Sequence, residues 1–232
     1  YNKLLIIINE VKMKTTTIYK KSIKDVKEYP YKVLKKSTNK KLLKTVTKGR
    51  FKGYEFLTLT LVERETCPSD CYHWDDCYGN NMPFAHRFKH GKDLEERIEK
   101  EISELNQNKN YLIRLHILGD FYSVEYVNLW LRLLDEYLNI AIYGYTGISP
   151  NSKIGKVIAF GNEKHLATNS KRFNIRYSNR PNILFSANSL EVQKPQKGKA
   201  IICPQQTGQS KGCADCALCW DTEKVSIIFK TH

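Results

Sequence analysis

The sequence predicts an α/β fold built on a parallel sheet, either a barrel or part of one. Segments with the two-residue alternation of strands recur between segments with the three- to four-residue spacing of amphipathic helices. Such alternation implies parallel strands joined by right-handed crossovers. The chain of 232 residues, 27% charged and 41% hydrophobic, is long enough to bury a core without disulfide bonds.

The predicted elements follow one another from residue 54. Residues 54–62 alternate leucine with threonine (Leu57, Leu59 and Leu61), which indicates a strand. Residues 92–107 carry apolar side chains at helical steps between charged ones. The remaining predictions are strands at 111–118, 140–145, 174–177, 183–186 and 225–229, and helices at 124–138 and, weakened by Gly155, at 152–160.

Two segments occupy the loops where barrels of this kind carry their chemistry, after the carboxyl ends of strands. A loop at 67–77 follows the first strand, and Gly119-Asp120 follows the second directly. A glycine lets the backbone approach a ligand, and the carboxylate of Asp120 could receive an amine. Asp120 suits a helix N-cap equally well, so both interpretations stay open.

Four cysteines near the C-terminus predict a metal centre. Cys213, Cys216 and Cys219 form a C-x2-C-x2-C run, and a remote fourth thiol stands in Cys203-Pro204. A run of this type with a Cys-Pro ligand elsewhere is typical of ferredoxin iron–sulfur clusters. A zinc site usually takes two separated C-x2-C pairs, and that alternative stays open, as does a set of thiols without metal.

Three earlier cysteines, Cys67, Cys71 and Cys77, follow a C-x3-C-x5-C pattern. Three thiolates leave one iron of a 4Fe–4S cube without a protein ligand, so that it could bind a substrate or cofactor atom. One alternative is a zinc site completed by a histidine. Another is a cluster completed by a cysteine of the later group. The histidines considered are His73, His86 and His90.

The positive charge of the chain lies mostly in its N-terminal quarter. Residues 1–60 hold 16 Lys and Arg against four acidic residues, whereas the remaining 172 residues hold 22 basic and 20 acidic ones. We therefore divide the chain into a basic N-terminal extension (1–53), an α/β core (54–200) and a C-terminal auxiliary segment (201–232).

The basic extension raises a hypothesis from a different class, a non-catalytic iron–sulfur or zinc protein that binds nucleic acid. Lysines would neutralise phosphates and aromatic rings could stack on unpaired bases. The basic residues concerned are Lys35, Lys36, Lys40, Lys41, Lys44, Lys48, Arg50 and Lys52, and the aromatic ones are Tyr29, Tyr31 and Phe51.

The arrangement resembles the radical S-adenosylmethionine superfamily and, more narrowly, a family of bacteriophage proteins with partial barrels of this kind. The matching pieces are Thr66-Cys67-Pro68, Cys77-Tyr78, the segments at 113–123 and 143–146, and the stretch from Cys203-Pro204 to Cys219-Trp220. The resemblance implies a partial (β/α) barrel of radical-SAM type, flanked by the basic extension and the cysteine-rich C-terminal segment.

Carried onto this chain, the resemblance implies two 4Fe–4S clusters and a role for S-adenosylmethionine. The first three cysteines would hold the open cluster, Gly119 and Asp120 would bind the methionine amino group, and the last four cysteines would hold an auxiliary cluster. A reducing electron donor would be needed, and a 5′-deoxyadenosyl radical would attack a substrate that the sequence does not identify.

The chain is also expected to be cytoplasmic, in the host cytoplasm if it is encoded by a phage. No stretch approaches the roughly 20 apolar residues of a membrane span. The apolar run at 4–8 is short for a signal peptide and is not followed by a small-residue cleavage site.

Overall fold

A computed structural model describes residues 17–37 and 41–230 of the chain. Residues 1–16, 38–40 and 231–232 lie outside the described residues, and with them Lys40 and the start of the predicted basic extension. The strands are β1 (Ile23–Lys24), β2 (Lys35–Lys36), β3 (Glu55–Thr58), β4 (Arg87–Phe88), β5 (Tyr111–Leu115), β6 (Ile140–Thr146), β7 (Phe173–Ser178), β8 (Ser186–Ser189), β9 (Ala200–Ile202) and β10 (Ser226–Phe229). The α-helices are α1 (Glu63–Thr66), α2 (Lys92–Ser103), α3 (Val124–Glu136), α4 (Lys153–Ala167), α5 (Cys213–Cys216) and α6 (Leu218–Asp221), with short 3-10 helices at Lys20–Ser22 and Tyr78–Asn81.

Eight strands form one mostly parallel sheet in the order β2-β3-β5-β6-β7-β8-β10-β9. Only β2 is antiparallel to its neighbour. The strands β3, β5, β6, β7 and β8 lie side by side in chain order, and β1 pairs with β4 separately. The predicted α/β fold with a parallel sheet is confirmed. Within the described residues the sheet is open, with β2 and β9 at its edges, so barrel closure is not part of the observed pairing.

Most predicted elements are present, with shifted ends. The strand predicted at 183–186 is wrong, because β8 begins only at Ser186. Asn182 and Phe185 have φ of 67° and 55°, and these left-handed residues break the extended chain between them. The helix predicted at 152–160 continues to Ala167 despite Gly155, where an added Cβ would collide with the Ser149 carbonyl.

The two faces of the sheet are covered by different parts of the chain. One face packs on α2, α3 and α4 through side chains such as Ile113, Ile142 and Trp130. The opposite face, which we call the inner face, packs on the C-terminal cysteine segment. There the Trp220 ring lies 4.8 Å from that of Tyr143 and 5.7 Å from that of Phe56, between ring centroids.

The described part of the basic extension packs against the rest of the molecule. The backbone N–H of Cys213 donates to the Lys41 carbonyl at 2.6 Å, and that of Thr47 donates to the Ala214 carbonyl at 3.1 Å. Tyr29 and Phe51 are 8% and 3% exposed. These two rings belong to the core and are not available to stack on bases.

In the part of the chain that the structure describes, no helix combines the length and the apolar character needed to cross a bilayer.

Candidate cysteine site

The first cysteine loop is a series of tight turns at the carboxyl edge of the sheet. The N–H of Cys67 donates to the Glu63 carbonyl at 3.0 Å and so ends α1, while Cys71 and Cys77 accept backbone hydrogen bonds inside the loop. Arg64 stacks on Trp74 with its guanidinium carbon 4.8 Å from the ring centroid. The guanidinium also donates to the Trp74 carbonyl, which fixes the loop between the second and third thiols.

Gly119 lies against the residue that precedes the first thiol. Its φ is +88°, and a Cβ there would lie 2.6 Å from Cβ of Leu61 and 2.7 Å from Oγ1 of Thr66. Only glycine fits such an approach without displacing its neighbours. The next N–H, that of Asp120, donates to Thr66 Oγ1 at 3.1 Å. Gly119 and Asp120 therefore lie next to the first cysteine loop, as their positions after neighbouring strands predicted.

The carboxyl group of Asp120 is buried and oriented by backbone N–H groups. Oδ1 accepts from Phe121 and Oδ2 accepts from Gly147, each at 2.7 Å. Burial raises the pKa of Asp120 to about 7 in spite of these hydrogen bonds. The alternative of a helix N-cap is wrong, because Ser123 caps α3 by accepting from the Tyr126 N–H.

Gly147, which follows β6, completes this corner of the site, and sequence reasoning did not identify it. A Cβ on Gly147 would lie 3.8 Å from Sγ of Cys71 and 3.7 Å from Oδ2 of Asp120. Its position at the end of a predicted strand, between Thr146 and Ile148, could have indicated a close approach of the backbone to a ligand.

The second set of cysteines is held by two consecutive helical turns on the inner face. Cys213 and Cys216 lie at the two ends of α5, and Cys219 lies in α6. Ala217, with φ of 64°, reverses the chain between the two turns. Cys203 follows β9, and its N–H donates to the Ile228 carbonyl at 2.8 Å. The four predicted thiols thus come from neighbouring segments.

Arg176 of β7 fixes this cysteine segment to the sheet. Its guanidinium is fully buried and donates to carbonyl oxygens of the segment and of its neighbours. The acceptors are Cys219 (3.0 Å), Ser186 (2.9 Å), Val225 and Leu218 (3.2 Å each), and Thr222. Arg176 is the single charged residue of β7, and a charge in the middle of a predicted strand could have indicated such a role.

All seven cysteines are free thiols, and within each set they act on one another electrostatically. Burial and then the nearby Asp120 and Cys71 raise the pKa of Cys67, and burial and Cys219 raise that of Cys213 to about 12. Burial also raises the pKa of Cys71, Cys77, Cys216 and Cys219. Gathered thiols of this kind lose their protons when a cation binds them.

The inner face of β5 and β6 lies beside the second cysteine set. The Tyr145 hydroxyl donates to Sγ of Cys219 at 2.9 Å. The guanidinium carbon of Arg114 lies 4.8 Å from the Tyr145 ring centroid. Arg114 also interacts electrostatically with Tyr78, the residue after Cys77, and with Cys213. Sequence reasoning identified neither Arg114 nor Tyr145 as a site residue.

The histidines considered as zinc ligands have other partners. His73 Nδ1 lies 3.2 Å from the Asp76 carboxylate, and His86 Nδ1 lies 2.9 Å from the Tyr29 hydroxyl. His90 lies 3.7 Å from Glu65. Among the described residues, no three His, Cys, Asp or Glu side chains are grouped so as to hold a single metal ion.

A cavity of about 600 Å³ lies beside the first cysteine loop. Pro68 and Asp70 of the loop form one wall of this cavity. Ser123 and Ser152, the N-cap residues of α3 and α4, also line it, so two helix N-termini border this space. The partial positive charge of helix N-termini favours anionic groups.

The sequence profile of a family described as Gene product 88 matches residues 32–222. The chain belongs to the Gene product 88 family. The match includes all seven cysteines and Gly119-Asp120, and it confirms the predicted resemblance to a phage-like protein family. It carries no information on a radical S-adenosylmethionine core. No curated protein and no solved structure matches this Gene product 88 chain.

Proposed function

We propose that this chain is an iron–sulfur protein with two 4Fe–4S clusters and a radical S-adenosylmethionine-like activity. The observation that carries the proposal is the gathering of seven free thiols into two sets, with a buried carboxyl group beside the first set. The parallel strands that follow one another in chain order support a partial barrel of the radical-SAM type.

The donor chemistry of the second set fits an iron–sulfur cluster. Its side chains are all thiols, and soft thiolate ligands favour iron–sulfur clusters and zinc. A zinc site usually takes its thiolates from two separated C-x2-C pairs. The C-x2-C-x2-C run with a remote Cys-Pro ligand instead has the spacing of ferredoxin cubes, whose four thiolates lie on different iron atoms. We therefore assign Cys203, Cys213, Cys216 and Cys219 to a fully ligated cluster.

The first set supports a cluster with one iron free of protein ligands. Cys67, Cys71 and Cys77 are its only thiols, and the nearby histidines have other partners. Bound there, such a cluster would supply single electrons to a sulfonium cofactor, and the protein would supply orientation and exclusion of water.

The residues around the first set have roles that follow from their own contacts. Asp120 offers oriented carboxylate oxygens to an ammonium group, and a bound ammonium would lower its raised pKa. Gly119 lets the chain approach Leu61 and Thr66 closely, and Gly147 places no side chain beside the Cys71 thiol. The cavity at the N-termini of α3 and α4 has the volume to take the adenosyl part of an S-adenosylmethionine molecule.

Anaerobic reconstitution followed by iron, sulfide and zinc analysis tests the proposal. We expect about eight iron atoms per chain and about half of that in either Cys67→Ser or Cys216→Ser. S-adenosylmethionine should change the EPR spectrum of the reduced protein. Cys216→Ser should keep this response, and Cys67→Ser should lose it.

Asp120→Asn provides a second arm, because it keeps the size of the side chain and removes its charge. We expect this variant to bind iron fully but to need at least tenfold more S-adenosylmethionine for the EPR change. Stoichiometric zinc in the wild-type chain, or a spectrum that S-adenosylmethionine leaves unchanged, would contradict the proposal.

A further inference from the structure

Arg114 is a charged residue on the inner face, and none of the residues that the structure describes is an acidic partner for it. It stands in register with Tyr143 of β6 and with Thr58 of β3. Its Nε is buried and has no hydrogen-bond acceptor in the described part of the chain. The groups that act on it most strongly are three phenols and a thiol, namely Tyr143, Tyr145, Tyr78 and Cys213. A guanidinium in such a place loses hydration without gaining the ion pair that would compensate for it.

Two fully buried arginines among the described residues, Arg87 and Arg176, have their guanidinium groups satisfied by protein acceptors. Arg87 pairs with the buried Glu63 at 2.9 Å and donates to three backbone carbonyls as well. Arg176 donates to five carbonyls. Arg114 differs from both, so its donors remain available to a bound molecule.

A second unpartnered donor lies beside it on the same face. Tyr143 is 1% exposed, and its hydroxyl has no partner of ordinary hydrogen-bond geometry among the described residues, although the neighbouring Arg114 guanidinium offsets part of the rise that burial causes in its pKa. Its ring centroid lies 5.6 Å from the guanidinium carbon of Arg114. A buried hydroxyl without a partner costs free energy unless a ligand satisfies it.

The residues around Arg114 are not all buried. Arg114 and Tyr145 are only partly buried, and Tyr78 is 42% exposed. Because Tyr78 follows Cys77 and Tyr145 donates to Cys219, a molecule bound at Arg114 would lie between the two cysteine sets.

We propose that Arg114 and Tyr143 form an anion-binding site for a small organic acid or phosphate ester. The planar fork of a guanidinium binds the two oxygens of a carboxylate or phosphoryl group together, and the tyrosine hydroxyl donates a further hydrogen bond. The anion site itself stands on the contacts of these residues. That its ligand is the substrate rests on the proposed function.

Calorimetric titration of the reconstituted full-length chain with inorganic phosphate and, separately, with acetate tests the site and distinguishes its two ligand classes. We expect Arg114→Met to weaken binding of the preferred anion at least tenfold, Arg114→Lys to retain part of it, and Tyr143→Phe to weaken it severalfold. The matched control is Arg132→Met, which removes an arginine from the exposed surface of α3 and should bind as the wild type does.

Equal binding by the wild type and by both Arg114 variants would overturn the proposal. So would loss of iron in Arg114→Met but not in Arg132→Met, since the guanidinium would then balance the charge of a cysteine-bound metal. An iron-free chain that still binds anions through Arg114 would support this site and contradict the proposed function. If the chain binds iron and responds to S-adenosylmethionine, but both Arg114 variants bind anions as the wild type does, then this site alone is overturned.

Discussion

At the scale of single residues, Gly119 combines a left-handed backbone with a close contact, and the two effects can be separated. Gly119→Ala should lower the free energy of unfolding by about 3 kcal/mol, because strain at positive φ adds to a collision with Leu61 and Thr66. Gly198 has a φ of +73° with open space where a Cβ would lie, so Gly198→Ala should cost only about 1 kcal/mol. Urea unfolding measures both, and equal losses would contradict a role for the close contact.

The hydrogen bond from Tyr145 to Cys219 predicts an electronic effect. Hydrogen bonds to ligand sulfurs stabilise the reduced form of an iron–sulfur cluster. If the second cysteine set holds the proposed cluster, Tyr145→Phe should therefore lower the midpoint potential of that cluster while leaving the iron content and the proposed response to S-adenosylmethionine unchanged. Potentiometric EPR titration measures the shift, with Tyr137→Phe as the control. A potential unaffected by Tyr145→Phe would show that the hydroxyl does not act on the cluster.

His116 predicts a pH dependence of stability. It is a packed core histidine, 4% exposed, with Nε2 lying 3.1 Å from the Tyr126 hydroxyl. Burial lowers its pKa to about 3 from an ordinary 6.5. Below pH 6.5 the unfolded chain therefore binds a proton that the folded chain does not bind until about pH 3, so stability falls as the pH falls through this window.

We expect His116 to account for the loss of about 2 kcal/mol or more between pH 6.5 and 4. His116→Asn, which tolerates the observed φ of 54°, should reduce the dependence of the unfolding free energy on pH. His90→Asn, at a partly exposed imidazole, should leave the dependence as it is. Urea unfolding at a series of pH values tests this, and identical slopes in all three proteins would refute it.

At the scale of elements, periodic segments were predictable and single-turn helices were not. The apolar spacing of α2 and α3 placed both helices, with ends that differ by a few residues. The four-residue helices α1, α5 and α6 have no periodicity to detect, since each is a single turn held by tertiary contacts. The strand predicted at 111–118 ends at Leu115, because His116 turns left-handed where the chain leaves the sheet.

The hydrogen bonds of Arg176 predict that this residue holds the second cysteine segment on the sheet. Arg176→Met would leave five carbonyl oxygens without a charged donor, and we expect a loss of at least about 3 kcal/mol. The thiols of Cys213 and Cys219 should also react faster with an alkylating reagent, whereas Cys67 should change little. Arg180→Met, at a partly exposed arginine two residues beyond the end of β7, is the control. If every cysteine were alkylated faster to the same extent, Arg176 would not stabilise this segment locally.

At the scale of the whole molecule, parallel topology explains which part of the site was predictable. Loops after parallel strands meet at one edge, so Cys67, Asp120 and their neighbours could be brought together from the order of elements alone. The position of Cys219 on the inner face depends on long-range packing of Trp220 against Phe56 and Tyr143. No local pattern in the sequence carries that information.

The packing of the basic extension against the core limits how its role in nucleic-acid binding can be tested. Deleting residues 1–48 would remove β2 and the buried Val33 and Leu34, so the rest of the chain would lose part of its core. With Tyr29 and Phe51 buried, nucleic-acid binding through this extension would rest mainly on phosphate neutralisation. Point substitutions of exposed lysines keep this core intact and are therefore the suitable test.

Replacing three exposed lysines of the extension by glutamine should weaken nucleic-acid binding if the extension contacts phosphates. These are Lys44, Lys48 and Lys52. Each lost contact removes about 0.7 to 0.9 from the slope of log K against log salt, so the slope should fall by about two units. The control removes the same charge elsewhere, at Lys194, Lys197 and Lys199. The slope is measured in titrations with single-stranded and duplex DNA. If both triple variants changed it equally, the binding would reflect net charge. Only a localised interface distinguishes two sets of lysines with the same total charge.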